Sequence, residues 1–370
     1  MRLLTALPIL LLGGSPAPVA ATHAAPAVQA AGGSAILERA EEEYWEFLQR
    51  ESIGLRLRLG LPIQKLPDLS LEKARADAAF GEALLRRLQE VREAELDHEE
   101  ELSLAVLRHE ARQLVEAATH YWLVFPVTPY AFSFLEAHQA FTSHPFRNRK
   151  DVENYVRLLS AYSGLLSILE KKIREQSRRG ILLPKAEIPL VVGVFQTVAK
   201  PKEQSLFWVK LERLSGLSGP DRGALAKRSA EAIESQINPA LASLVALLSG
   251  AYGGRAPDAV GLSQYPGGKE YYRFLVRQNT TLELTPEEIH QIGLAEVEKL
   301  NAELEAMRER VGFRGTPAEF RRFLKTDERF FPKTPEEVGE RLMAAQNRIV
   351  GRIPEFFLRV PKAPYGVKRL

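Results

Sequence analysis

Along the chain, apolar residues recur every three or four positions. Val152, Tyr155, Leu159, Tyr162, Leu166, Leu169 and Ile173 are spaced 3-4-3-4-3-4, which places them on one stripe of one helix. That helix should end near Arg179, because Gly180 can take the left-handed conformation that closes a helix. Leu104, Leu107, Ala111, Leu114 and Ala118 repeat the pattern, and Asp97 with Glu100 three residues later predicts a capping-box start. A third stripe is Ala232, Ile233, Ile237, Leu241, Leu244 and Leu248. Pro239 lies inside it and predicts a kink or break after Gln236 or Asn238. Thr285-Pro286-Glu287-Glu288 is the sharpest start signal, with a capping threonine, a proline at the first helical position and a glutamate that can reach back. Its helix should run to about Val311 and stop at Gly312. A last helix is expected over residues 335–357.

Between these stretches, the proline-rich residues 125–145 predict a loop or short helices, 215–220 a turn, and 252–268 a long loop with five glycines and two prolines. No run alternates strictly enough for a sheet. The valine-rich residues 190–195 are the one place a strand could hide, and Pro189 and the helical surroundings favour helix there. The expected fold is therefore all-α, a long-helix bundle.

Composition narrows the function classes. The chain has 370 residues, 45% hydrophobic and 26% charged, a globular composition. Lys+Arg number 50 against Asp+Glu 47, which argues against a nucleic-acid partner, since that would call for a basic excess or stripe. Cysteine is absent, so disulfides, thiolate zinc sites and cysteine nucleophiles are excluded.

The first 30 residues have the layout of a secretory signal. Arg2 precedes the apolar residues 3–12, Gly13, Gly14, Pro16 and Pro18 break the run, and Val19-Ala20-Ala21 or Val28-Gln29-Ala30 offers a cleavage point. The run falls short of the roughly 20 residues that span a membrane. Lipid attachment at a cleavage site needs a cysteine, and none exists. The expected organisation is a signal peptide over 1–30 and one helical domain over 31–370. That domain would be exported to the periplasm or beyond, without a lipid anchor or membrane partner after cleavage.

Familiar catalytic motifs are missing. His109-Glu110 begins a helical zinc motif, but Gln113 stands where the second histidine belongs. His120 returns to roughly the same face, and both histidines read as half-buried polar residues of a bundle. His138 and His144 could approach one another, with no acid in their local sequence. No nucleophile elbow or phosphate-binding glycine loop is present. Lys171, Lys172, Arg174, Arg178 and Arg179 read as a solvated helix end matched to its dipole.

Residues 261–293 stand apart. A glycine-rich loop ending in Gly267 and Gly268 leads into Tyr271 and Tyr272, then Thr280 and Thr281, then the capped helix carrying His290. The glycines would let backbone approach a ligand closely, and the Tyr, Thr and His side chains can bond it. A packing corner between helices explains the same residues equally well.

The order Pro-Gly-Gly-x-x-Tyr-Tyr, Thr-Thr, Thr-Pro-Glu-Glu-Ile-His-x-x-Gly resembles the bacterial family called domain of unknown function 885. HPFRNRKDVENYV upstream, and GFRGTPAEFRRFL and IPEFFLRVPKAPYGV downstream, extend the resemblance over about residues 40–370. It implies an all-helical, usually exported protein similar to cleft-forming zinc metallopeptidases. The family's zinc motif, His-Glu-x-x-Pro-Gly-His-His-x-Gln, belongs to a C-terminal part and is not among these 370 residues. The resemblance thus implies the N-terminal half of such a fold, with no catalytic residue, metal ligand or cofactor assignable here. Zinc is expected only in full-length members, and a peptide substrate only once a catalytic half completes the fold. Gly267, Gly268, Tyr271, Tyr272, Thr280, Thr281 and His290 would form a substrate-facing wall. The alternative is a non-enzymatic helical protein that binds a peptide or partner.

Overall fold

A computed structural model describes residues 32–130 and 133–360, together with 362, 366 and 367; residues 1–30, the expected signal peptide, lie outside the described residues. Every regular element among them is helical, with no strand. The helices are α1 (Gly32–Glu51), α2 (Ile53–Arg58), α3 (Leu71–Leu88), α4 (His98–Thr119), α5 (Ser133–Thr142), α6 (Arg149–Arg178), α7 (Ile188–Val198), α8 (Gly219–Ala232), α9 (Asn238–Leu247), α10 (Gly253–Arg255), α11 (Gly268–Thr280), α12 (Pro286–Arg310), α13 (Pro317–Thr326), α14 (Pro335–Val350) and α15 (Ile353–Phe356). They divide into two compact units, which meet in the chain between Glu283 and Leu284.

The first unit is organised on α6. Its predicted stripe is buried throughout, with Tyr155, Leu159, Tyr162, Leu166 and Leu169 fully enclosed. Asn148 caps its start by accepting the Asp151 N–H, and Gly180 has φ +74 just past its end. Around α6 pack α8, α9 and the turn between them, and α7 packs on α9. Phe141, Tyr155, Tyr162 and Phe207 meet edge-on or tilted at 4.7–5.8 Å between ring centres, the arrangement that aromatic quadrupoles favour. A second core joins α1, α3 and α4 through Leu37, Ala40, Tyr44, Phe47, Leu84, Leu88, Leu104, Leu107 and Ala111. The capping box at Asp97 forms as expected, each partner bonding the other's backbone.

Pro239 does not break its helix. A π-helical turn, Ile233–Ile237, ends two residues before it. The wider turn absorbs a residue with no N–H to donate. The helical stretch Gly219–Arg255 is long and apolar enough, by length and composition only, to cross a membrane. Its row Ile233, Ile237, Leu241, Leu244 and Leu248 is fully enclosed in the main core. Residues 190–195 are helical within α7.

The second unit begins at the Thr285 capping box, which forms with Pro286 in the first turn. α12 ends at Val311, with Gly312 at φ +69 beyond it. A small aromatic core gathers Phe313, Phe320, Phe323 and Phe330. The last helix is shorter than its pattern predicts. α14 ends at Val350, Gly351 and Arg352 interrupt, and α15 adds one turn, with Pro354 in its first turn, before Phe357 leaves helical geometry.

Candidate functional site

The glycine-tyrosine segment packs on residues 117–125, at and beyond the end of α4, and leads into α11. Gly267 caps α11 in the left-handed conformation, φ +77. Gly268 lies against the preceding loop so closely that a Cβ there would stand 1.7 Å from the Leu262 carbonyl oxygen. Both glycines thus have a structural necessity. Tyr271 is buried with Phe274, Leu123, Ile181 and Tyr265, and burial raises its pKa. Tyr265 donates its hydroxyl proton to the Leu182 carbonyl, and burial pushes it up to about 12. Tyr272, the other member of the pair, is 42% exposed.

Thr280 and Thr281 close α11. The Thr280 hydroxyl donates back to the Val276 carbonyl at 2.7 Å and accepts the Leu282 N–H at 3.1 Å. Thr281 has φ +59, the one non-glycine residue in the left-handed region among those described. A β-branched residue there is an outlier, held by its backbone N–H bond to the Arg277 carbonyl. Arg277 in turn pairs with Glu116 of α4, which ties α11 to α4. His290 lies in the second unit, exposed on α12. The sequence motif therefore places Gly267, Gly268, Tyr271, Tyr272, Thr280 and Thr281 on one corner of the first unit and His290 on another body.

Three other histidines, His120, His138 and His144, hold packing or hydrogen-bond positions. His120 ends α4 and stacks on Tyr271 and Phe274 at 5.1 and 5.2 Å. Its pKa is lowered, chiefly by burial. His109 is half-buried on α4. His138 and His144 do not share a site. The His138 Nε2 bonds the Tyr162 hydroxyl at 2.7 Å, whereas the His144 Nε2 bonds the Asp151 carbonyl at 2.9 Å. Burial lowers His138 to about 4. Among the described residues no three His, Asp or Glu side chains come together as a metal would require.

One expectation is corrected. Lys172 is not part of a solvated helix end: it is 6% exposed, and burial lowers its pKa to about 8. Its neighbour Gln176 is also buried and donates to the Trp122 and Val124 carbonyls at 2.8 and 3.1 Å. The signal was present in the sequence. Lys172 and Gln176 continue the row Leu165–Leu169 at helical spacing, one row over from the main stripe. Arg174, Arg178 and Arg179 do lie at the surface, paired with Glu170 and Glu175.

The fold is that of an all-helical bundle protein. The chain belongs to the family described as bacterial protein of unknown function (DUF885), whose profile matches residues 54–370. The crystal structure of a predicted lipoprotein from Colwellia psychrerythraea is similar, with a TM-score of 0.71 and 17% identity over 90% of this chain and 60% of that one. The chain spans about 60% of the length of that relative. No curated protein sequence matches it.

Proposed function

We propose that this chain is the N-terminal helical part of an exported, zinc-peptidase-like protein, which needs a further helical part to form its cleft and supply the metal. The observation that carries the reading is an uncovered apolar stripe. On α12, Val297, Leu300, Leu304, Met307 and Val311 repeat at 3-4-3-4 spacing, yet Val297, Leu300, Met307 and Val311 are each at least half exposed. On α14, Val338, Leu342 and Ile349 are likewise exposed. A helix stripe of this width is normally buried against another element. The greater length of the similar solved structure supports the same reading. Within it, the 267–281 corner and His290 are substrate-facing positions, and the secretory signal sends the protein to the periplasm or beyond.

The test is hydrolysis of a peptide library by the purified chain with added zinc. No zinc-dependent cleavage is expected from this chain alone. Cleavage would overturn the reading. The competing reading, a self-sufficient peptide-binding or partner-binding protein, would be favoured by a soluble monomer that binds no hydrophobic dye. An aggregating chain, rescued by co-expression with the C-terminal part of a longer family member, supports the first.

A further inference from the structure

The first unit carries two neighbouring open grooves that share Gln64, Lys65 and Arg157 in their linings. One, about 370 Å³, is ringed by Arg50, Arg56, Lys65 and Arg157, with Glu46 at its edge. The other, about 360 Å³, starts at the same Lys65 and Arg157 and runs along α6 over Leu158, Ala161, Gly164 and Leu165. Each lies at the lower end of ligand-site volumes, roughly 300–1,000 Å³. Ala161 and Gly164 keep the floor low, and both face solvent.

The cationic groove has charge to spare. Arg56 spends its guanidinium on neutral backbone, bonding the Pro62 carbonyl at 2.8 and 3.0 Å and the Gln49 carbonyl at 3.0 Å. Arg157 bonds only the uncharged Asn154 side chain. Arg50 and Lys65 share Glu51. Burial works to raise the Glu51 pKa, but its bonds with Lys65, Arg50 and Lys73 win and hold it near about 2. Four cations thus line the groove beside one lining carboxylate, Glu46, while Glu51, outside the lining, pairs with Arg50, Lys65 and Lys73. At the apolar end, the Asp68 carboxylate is occupied with the Ser70 N–H at 2.9 Å.

The connecting segment 61–69 forms one wall and has no regular structure. Pro62 and Pro67 bias Leu61 and Leu66 towards extended backbone. Among the described residues, the N–H groups of Ile63, Gln64, Lys65 and Leu66 find no acceptor within the chain; that of Leu61 bonds the Arg56 carbonyl. Unpaired donors on a non-helical wall are what an added extended strand uses.

We propose that these two grooves receive the C-terminal end of an extended peptide. The terminal carboxylate sits among Arg56, Lys65 and Arg157. Apolar last side chains lie on the Ala161 and Gly164 floor, and peptide carbonyls meet alternate N–H donors of the 63–66 wall, since successive donors of an extended segment point to opposite sides. A fatty acid would leave those donors unused, and inorganic phosphate would leave the apolar groove empty. The proposal does not depend on the zinc-peptidase reading.

Calorimetric titration of the purified chain tests it, using an acetylated hexapeptide that ends in two leucines. The free acid should bind, and the C-terminal amide should bind at least about tenfold more weakly. Affinity should fall as salt rises from about 50 to about 500 mM. Arg157→Gln removes one exposed cation, and Ala161→Trp fills the exposed floor. Each should weaken the acid by about tenfold or more with the melting temperature unchanged. If either variant melts early, the acid–amide comparison on the unaltered chain decides alone. The proposal is overturned if acid and amide bind equally, if neither binds at millimolar peptide, or if decanoate or inorganic phosphate binds as tightly as the acid.

Discussion

The Lys172 ammonium lies 3.8 Å from the centre of the Tyr121 ring, and Tyr121 donates its hydroxyl proton to the Leu69 carbonyl at 2.8 Å. A buried cation on a ring face gains from the ring's quadrupole but loses its hydration. Here hydration loss dominates, since burial lowers Lys172 to about 8. Below about pH 8 both the folded and unfolded chains keep the proton, so the whole cost is present. Between about 8 and 10.5 the folded chain sheds it first, and stability climbs with pH. Lys172→Met should therefore stabilise the protein at pH 7 by about 1–2 kcal/mol, after the lost ring contact is discounted. Urea unfolding at pH 7 and pH 9.5 checks this, and the variant should lose the rise between the two.

Gly268→Ala should be severely destabilising. Its Cβ would meet a backbone carbonyl at 1.7 Å, and backbone has no flexible end to swing aside. A cost of roughly 3 kcal/mol or more is expected. Gly267→Ala is strained only by its left-handed φ and should cost about 1–2 kcal/mol. Tyr272→Ala, at an exposed position, should stay within about 0.5 kcal/mol. Chemical denaturation of the three variants separates the packing role of this corner from any ligand role. A ligand role would then show at Tyr272 as lost binding in a stable protein.

Acid should weaken the first unit through His138. Burial holds it near about 4 in the folded chain, against 6.5 for a free imidazole. The unfolded chain therefore takes up the proton first as pH falls, and stability is lost from about 6.5 down to about 4. The loss is up to about 3 kcal/mol. His138→Gln keeps a group that can bond the Tyr162 hydroxyl but does not titrate, so its melting temperature should vary less between pH 7 and pH 4.5. An unchanged pH dependence would assign the acid sensitivity elsewhere.

Elements whose information is local were legible in the sequence. The stripe on α6, the capping boxes at Asp97 and Thr285, and the glycines that close α6 and α12 need only neighbours within one or two turns. What depends on distant partners was not legible. The fate of Pro239 turned on whether packing would hold the helix together across it, and the enclosed residues Ile233, Ile237 and Leu241 supply that packing. The end of α14 depended on a single residue, Gly351, inside an otherwise helical pattern. For the candidate site, the motif did mark a real corner, but Gly268 is explained by Leu262, which lies only six residues earlier and across a turn whose geometry no pattern specifies. The cationic groove had no motif to find, because Arg50, Arg56 and Arg157 come from three separate helices and Lys65 from the irregular segment 61–69.

The uncovered stripe of α12 makes the last prediction. Leu300 is 56% exposed and Met307 50%, so neither has much apolar area left to lose. Replacing both with lysine should shift the stability of the chain by no more than about 0.5 kcal/mol each, because lysine is a good helix former on a solvent face. The same change should reduce self-association in sedimentation and reduce binding of a hydrophobic dye, since it breaks a continuous apolar patch. It should also abolish rescue by a co-expressed C-terminal part, whose helices would otherwise cover Leu300 and Met307. A loss of more than about 2 kcal/mol in the chain alone would mean that the stripe is already packed in solution, as core leucine and methionine substitutions behave.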